Sequence, residues 1–386
     1  MLNKLKQFAT AAELKYLEAV EEFGSQHKAA AALGCKQPTI SVALNRLKAR
    51  AASKGFAPEN DMTHIVPDGF TVSGVSTNYN AEGEVVQQWI KSSQDRQRMA
   101  DLMQQSVEAM KDELPIYAPS KKVEGTLTDL ANLHVVTDYH FGMLAWGEET
   151  GADWDLTIAE QTLVDWIMSS VKMSPDAHTG ILANIGDFLH FDSMFPVTPT
   201  HGHILDADSR FQKVVRVAVR ALRHCIDLML KKYAHVHIVM ATGNHDISSS
   251  IWLREIFSHV YQDDPRVSID LNPDVYYAFE WGNTSLFFHH GHKRKMANVS
   301  DVLVAKYRDL YGRTEHSYCH MGHLHHIDIK ENNLMVVEQH RTLAAPDSHA
   351  SAGGWMSKRS TNTITYHKQF GEVARSTISP QMLGAA

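Results

Sequence analysis

Five short stretches of this 386-residue chain carry side chains that bind divalent metals, and each follows a run that reads as a strand. They are Asp138-Tyr139-His140, Gly186-Asp187, Gly243-Asn244-His245-Asp246, His289-His290-Gly291-His292 and Gly322-His323-Leu324-His325. The third ends the apolar run "HVHIVMAT", which is short, rich in β-branched residues and stopped by glycine, as a buried strand is. Imidazoles, carboxylates and an amide oxygen are thus set at strand ends, the edge at which ligands sit in open α/β sheets. Singly, every stretch has an ordinary alternative: His140 or His325 as a satisfied core histidine, Asp187 as a helix N-cap, Gly322 as a turn residue. Five in series, in a chain with 24 histidines, point instead to one metal centre.

In order and composition the five motifs resemble those of the calcineurin-like metallophosphoesterases, over roughly residues 130–345. The resemblance implies a mixed α/β fold, with two sheets packed as a sandwich and flanked by helices. It also implies hydrolysis of the P–O bonds of phosphate esters by a hydroxide held between two metal ions. Such ions answer a charge problem, because attack on phosphorus adds negative charge to oxygens that are already anionic. Two dications roughly 3.5–4 Å apart clamp the attacking and leaving oxygens and supply hydroxide at neutral pH. By the resemblance, the first ion takes Asp138, His140, Asp187 and His325. The second takes Asp187 as a bridge, with Asn244, His290 and His323. His289 competes with His290, and the family's ligand is the one directly before glycine. Manganese is the expected metal, with iron, zinc, nickel or magnesium as alternatives.

The same resemblance leaves His245 to the chemistry, as proton donor or transition-state stabiliser at the leaving group. Asp246 is expected to hold its other ring nitrogen and keep the ring charged. His190 resembles a histidine of the nuclease branch, or supports a ligand from behind. Arg210, Lys293 and Arg294 are candidate phosphate contacts, with a solvated loop as the plain alternative. Asp347, His349 and Trp355, in "APDSHASAGGWMSKRS", are candidates to line the cleft without a motif to place them.

The elements that must position these residues come from strand–helix alternation beginning near residue 126. "NLHVVTDYH" and "TGILANIGDFLH" read as strands, and "ADSRFQKVVRVAVRALRHCIDLMLKKY" as a long crossover helix. Its apolar positions are Phe211, Val214, Val215, Ala218, Leu222, Ile226 and Leu230, a helical spacing. Later come "VSIDL", "YYAFEWGNTSLFFHHGH", a helix at "SDVLVAKYRDLY", "SYCHMGHLHHIDIKENNLMVVEQH" and "NTITYHKQF". Early βαβ units followed by hairpin-like strands predict two sheets face to face within a domain spanning 126–386.

Residues 1–56 follow another pattern. "TAAELKYLEAVEEFG" places Leu14, Leu17, Val20 and Phe23 on one helical face, Ser25 caps a second helix, and Pro38 opens a third. The stretch "SQHKAAAALGCKQPTISVALNRLK" resembles the helix-turn-helix of LysR-type regulators through Ser25, Ala29, Ala30, Leu33, Gly34, Gln37, Pro38, Ser41 and Leu47. That resemblance implies DNA as a partner, with Gln37, Thr39, Val42, Asn45 and Arg46 facing the major groove or its phosphates. A helical bundle for protein contacts is the alternative. Residues 57–125 are expected to hold a hairpin about "NAEG", a helix with Met99, Leu102, Met103, Val107 and Met110 on one side, and a linker.

Composition is that of a soluble globular protein, with 44% hydrophobic and 21% charged residues. No apolar run approaches a membrane span, and the N-terminus lacks a signal-peptide core, so no membrane partner is expected. Three separated cysteines cannot build a disulfide framework and fit a reducing compartment. A cytoplasmic location follows, or a host's cytoplasm, since the layout resembles phosphoesterases encoded by phages. Residues 1–60 carry a net charge of +4 and the remainder −11, which suggests different partners for the two parts. A helix-turn-helix tethered to a phosphodiesterase centre raises the local DNA concentration there, so DNA cleavage is the favoured activity, in a chain that resembles proteins often working as homodimers. The alternatives are a phosphatase or cyclic-nucleotide phosphodiesterase localised by its N-terminus, and a DNA-binding regulator carrying an inactive scaffold.

Overall fold

Thr10 and Glu13 cap the first helix, α1 (Ala11–Phe23), reciprocally: each side chain accepts a hydrogen bond from the other's backbone N–H. The computed structural model describes residues 5–66, 70–95, 101, 104, 123–199 and 202–384. Gly24 ends α1 at φ 74°, a left-handed conformation that costs glycine nothing. Ser25 caps α2 (Gln26–Ala32), and Pro38 lies in the first turn of α3 (Gln37–Ser53). Leu17, Ala29, Ala30, Ile40, Leu44 and Leu47 close the core between them. The buried face of α1 departs from its apolar stripe. Glu13 turns inward to pair with Arg50 of α3, and Phe23 is left 38% exposed. The expected hairpin follows, β1 (Phe70–Tyr79) against β2 (Val85–Gln94), with the Asn80 side chain accepting from the N–H groups of Glu82 and Glu84 in its turn. Lys54, just past α3, donates to the Phe70 carbonyl and pairs with Asp95 at 3.0 Å, so hairpin and helices belong to one unit, Met1–Leu102. The methionine-striped segment and most of the linker lie outside the described residues.

The second unit, Met103–Ala386, carries the five candidate ligand stretches. Its central strands are buried on both faces over their C-terminal halves, the pattern of a covered parallel sheet. β3 (Leu127–Val136), β4 (Ala177–Asn184), β5 (His235–Met240) and β6 (Val267–Ile269) pair in parallel, in that order. A second sheet is built from β7 (Tyr277–Trp281), β8 (Thr284–His289), β9 (His316–Met321), β10 (Asp328–Glu331) and β11 (Val336–Gln339), in the order β10-β11-β9-β8-β7. β12 (Thr361–His367) and β13 (Gly371–Ile378) extend the first sheet as antiparallel strands beyond β3.

The two sheets face each other through Leu133, Val135, Ile181 and Val239 of the first and Tyr277, Leu286 and Phe288 of the second, all buried in one cluster. Side chains of opposite parity point outward. Leu182, Val236, Ile238 and Met240 pack beneath α4 (Leu156–Met173), α5 (Phe211–Met229) and α6 (Ile247–Val260). Phe287, Cys319 and Val337 pack beneath α7 (Met296–Lys306) through Val299 and Leu303. The result is a helix–sheet–sheet–helix stack, a mixed α/β fold.

Three features go beyond the sequence expectation. α4 and α6 are crossover helices that the motif reading passes over. β8, β9 and β11 run parallel to one another, where hairpins were expected. The helix expected over "SDVLVAKYRDLY" begins earlier and breaks at Tyr307, with a second turn over Arg308–Arg313. Among the described residues no helix is long and apolar enough to cross a membrane.

One ion pair crosses between the sheets. Arg375 of β13 grips both carboxylate oxygens of Glu338 on β11, with Nη2 at 2.8 Å from Oε2. Burial would raise the Glu338 carboxyl, but the His340 ring and the Arg375 guanidinium hold it down, to about 2. Arg375→Ala leaves that buried carboxylate uncompensated and is expected to cost about 3 kcal/mol, the lower end for breaking a buried pair. A depressed carboxylate contributes stability above its ordinary value near 4.5 and loses it as pH falls toward 2. Urea unfolding therefore shows the full gap between wild type and variant at pH 7 and a smaller one at pH 3; equal gaps contradict the assignment.

Candidate metal centre

Each candidate ligand sits one to four residues past the C-terminal end of a strand: Asp138 and His140 after β3, Asp187 after β4, Asn244 after β5, His290 after β8, His323 and His325 after β9. Parallel order brings the ends of β3, β4 and β5 side by side, and the sandwich brings those of β8 and β9 over them. The turns are tight enough to force unusual backbone. Six described residues other than glycine have positive φ, and five of them are Asp138, His140, Asp187, His323 and His325. Left-handed backbone costs a non-glycine residue on the order of 1–3 kcal/mol and persists where surrounding structure over-determines it. Two glycines make room for the carboxylates. A Cβ on Gly243 would stand 2.0 Å from Asp187 Oδ1, and one on Gly322 would stand 2.7 Å from Asp138 Oδ2.

Two groups of three donors result, Asp138 with His140 and His325, and Asp187 with His290 and His323; within each group the ligand atoms lie within 4.8 Å of one another. His290 links them. Its Nδ1 donates to the Ile185 carbonyl at 2.9 Å, which aims Nε2 at Asp187 Oδ2 (3.0 Å), Asn244 Oδ1 (3.2 Å) and, more distantly, Asp138 Oδ1 (3.9 Å). Three acceptor oxygens thus converge on one ring nitrogen in a fully buried setting. Burial opposes charge on His290, but the carboxylates of Asp187 and Asp138 raise it to about 10. The Asp138 carboxyl is held below its usual range: burial would raise it, and the His325 and His290 rings outweigh that. A site so rich in acceptors calls for positive charge, and its mixture of carboxylate, amide oxygen and imidazole suits divalent transition ions. Asp138, His140, Asp187 and His325 fit one such ion; Asp187, Asn244, His290 and His323 fit a second. His289 turns elsewhere: Nδ1 donates to the Val275 carbonyl and Nε2 accepts from the Arg294 N–H.

His245 lies at the floor of a cleft of about 450 Å³, beside His140, Asp187, Asn244, His323 and His325. Its partner differs from the one expected. His245 Nδ1 donates to the His190 carbonyl at 2.8 Å, leaving Nε2 for the cleft. Asp246 instead accepts from the backbone N–H groups of Phe188 (2.8 Å), Gly243 (3.1 Å), Asp187 (3.2 Å) and Leu189 (3.4 Å). It staples the loop after β4 to the loop after β5, and so sets the position of Asp187. Burial, and then the neighbouring Asp187 and Asp192, push the Asp246 carboxyl up to about 7. His190 stands behind His140, Nδ1 to Nδ1 at 3.2 Å, and its own Nε2 is buried without a partner. Where His140 Nδ1–H is the donor of that pair, its Nε2 keeps a lone pair for a metal. Arg210, Lys293 and Arg294 are exposed and are not among the residues lining the cleft. Asp347, His349 and Trp355 do line it, with Lys358 and Arg359. No spacing in the sequence links that loop to the ligands; only the return of the chain after β11 brings it there.

No protein-family profile matches the chain, and no curated protein sequence does. Several solved structures share part of the chain's course. A conserved protein from Streptococcus pneumoniae described as a predicted phosphoesterase aligns over 66% of this chain and 99% of its own, with 10% identity and a TM-score of 0.29. An archaeal phosphodiesterase aligns over 64% and 99%, with 12% identity and a TM-score of 0.33. A dimetal phosphatase from Danio rerio aligns over 65% and 98%, with 10% identity and a TM-score of 0.35.

Titration of the metal-free protein with Mn²⁺ separates these roles. His290→Ala is expected to lose at least one of two binding events, and His245→Ala to keep both. Asp246→Ala is expected to weaken binding about 10–100-fold, as loss of a group supporting a ligand does. Unaltered affinity in Asp246→Ala would show that its four backbone hydrogen bonds do not position Asp187.

Proposed function

We propose that this chain is a phosphoesterase dependent on two divalent metal ions, manganese foremost, and that its substrate is a phosphodiester, with DNA the target. The carrying observation is the convergence of Asp138, His140, Asp187, Asn244, His290, His323 and His325 from five strand ends onto one buried, acceptor-rich point open to a cleft. When bound, the ions supply the positive charge and the activated water that phosphate hydrolysis needs. The protein's own contribution is placement. Asp246 fixes the loop of Asp187, Ile185 fixes the ring of His290, and His190 backs His140. His245, its Nδ1 held by the His190 carbonyl, presents Nε2 to the cleft, where it can donate a proton to a departing alkoxide.

The choice of DNA is supported by the first unit. Thr39, Val42, Asn45 and Arg46 lie along one exposed side of α3, at the spacing of successive turns, and Gln37 at its start is hydrogen-bonded to Gln26 of α2 at 3.0 Å. An exposed stripe with a cation, on a segment of net positive charge, is what groove or phosphate contact requires. Joining it to the phosphoesterase unit raises the concentration of DNA at the metal centre without any further contact.

Hydrolysis in Mn²⁺ of a bis-aryl phosphate and of linear DNA, exceeding that of an aryl monoester, is the expected pattern; monoester preference would make the chain a phosphatase, and silence on all three would contradict phosphoesterase activity. His245→Ala is expected to lower kcat by about 10²–10⁴, the usual range for a lost general acid. In full-length protein, Arg46→Ala is expected to weaken duplex binding across sequences and to reduce the salt slope of log affinity by about one, read by fluorescence anisotropy. An unchanged slope removes Arg46 from the phosphate contacts.

A further inference from the structure

The cleft above the ligands has a second wall, and its chemistry differs from the metal-binding floor. It is made by the short helix Ser348–Ala352, through His349, and by the segment after it, through Trp355 and Lys358. Trp355 is 62% exposed, although its side chain has a fixed seat. The seat is built. The backbone of Trp355 donates to the Ala350 carbonyl at 3.0 Å, and its ring lies so close over Gly353 that a Cβ there would meet three ring atoms at 3.1–3.2 Å. The His349 ring meets the indole edge-on, centroids 5.2 Å apart. Leu324, carried between His323 and His325, lines the same cleft and is 58% exposed. Among the described residues no carboxylate pairs with Lys358, whereas its neighbour Arg359 is committed to the Leu343 carbonyl and to the Trp154 ring. Asp347, the one carboxylate of this wall, is occupied in capping the helix through the Ala350 N–H.

An aromatic plate held by a glycine, an apolar edge and a free ammonium, opening on a phosphate-directed metal centre, match a nucleobase with its phosphate. The geometry points to Trp355 as the platform on which the base flanking the scissile phosphate stacks, with Lys358 meeting an adjoining phosphate oxygen. Base–aromatic stacking is worth about 1–3 kcal/mol per base and tolerates any sequence, because every base has a π face. The cleft volume of about 450 Å³ falls in the range of small-ligand sites, so the base enters unpaired. This inference rests on the phosphoesterase reading for turnover, but not for binding.

Two arms test it on the full-length protein. In Mn²⁺, the p-nitrophenyl ester of thymidine 5′-phosphate is compared with methyl p-nitrophenyl phosphate, which offers the same leaving group without a base. Wild type is expected to favour the nucleoside ester, and Trp355→Ala to lower that preference over the methyl ester about tenfold, mainly through KM. Trp355→Phe should restore most of the preference. In the second arm, calorimetry of dTMP, deoxyribose 5-phosphate and an eight-residue oligo(dT) reads binding without turnover. Weaker binding of both dTMP and oligo(dT) by Trp355→Ala assigns the base to a single strand, and weaker binding of dTMP alone assigns it to a free nucleotide. If neither ester is hydrolysed yet dTMP still binds through Trp355, the phosphoesterase reading falls and the platform stands. Equal handling of both esters, or equal binding of dTMP and deoxyribose 5-phosphate by wild type, overturns it.

Discussion

Two fully buried carboxylates, Asp138 and Asp187, set the terms for the rest of the second unit. Burying an ionised carboxylate is costly unless it is paired and hydrogen-bonded. Here the hydrogen bonds come from the protein: His323 N–H and the Thr137 hydroxyl to Asp138, and His245 N–H to Asp187. The remaining negative charge is met by imidazoles, whose nitrogens can accept a proton or a metal. Left-handed backbone at five of these residues and glycines at two close approaches are the structural cost of bringing them together. The sandwich around them, with side chains from both sheets interleaved and helices on each outer face, makes that arrangement rigid.

The same residue types elsewhere in the fold show why convergence matters more than composition. His320, Glu338 and His340 are also buried and mutually close. There most of the groups are already engaged, with His340 Nδ1 alone of them left without a hydrogen bond. His320 bonds His340 at 2.9 Å and the Tyr366 hydroxyl at 3.0 Å, and Arg375 already grips Glu338. That trio locks the two sheets together. At the strand ends, by contrast, acceptors point at one another across a gap open to the cleft.

The gathering of these side chains at strand ends was legible in the sequence because such residues follow local patterns: a β-branched run, a glycine, then polar side chains in fixed order. The two crossover helices were less so, for a physical reason. On α4 the polar Thr162 and Ser170 face inward while Met168 and Met173 are exposed, and on α6 Ser249, Ser250 and Arg254 are buried while Ile247 and Ile251 are not. Their apolar periodicity is blurred by buried hydrogen bonding, such as Ser170 to His134 and Arg254 to Tyr277. Asp246 looked like the partner of His245 because it is adjacent in sequence. Three of its four partners are backbone amides nearly sixty residues earlier, which no local pattern encodes. Asp347, His349 and Trp355 could be named as candidates for the cleft but not placed in it, since their position depends on how the chain returns after β11.

A crystal soaked in MnCl₂ and examined by anomalous scattering puts the metal centre to the most direct test. Two peaks are expected, sharing Asp187, one contacted by Asp138, His140 and His325 and the other by Asn244, His290 and His323. An empty map at these residues, with Asp187 and His290 still joined only through a proton, would contradict a dinuclear centre.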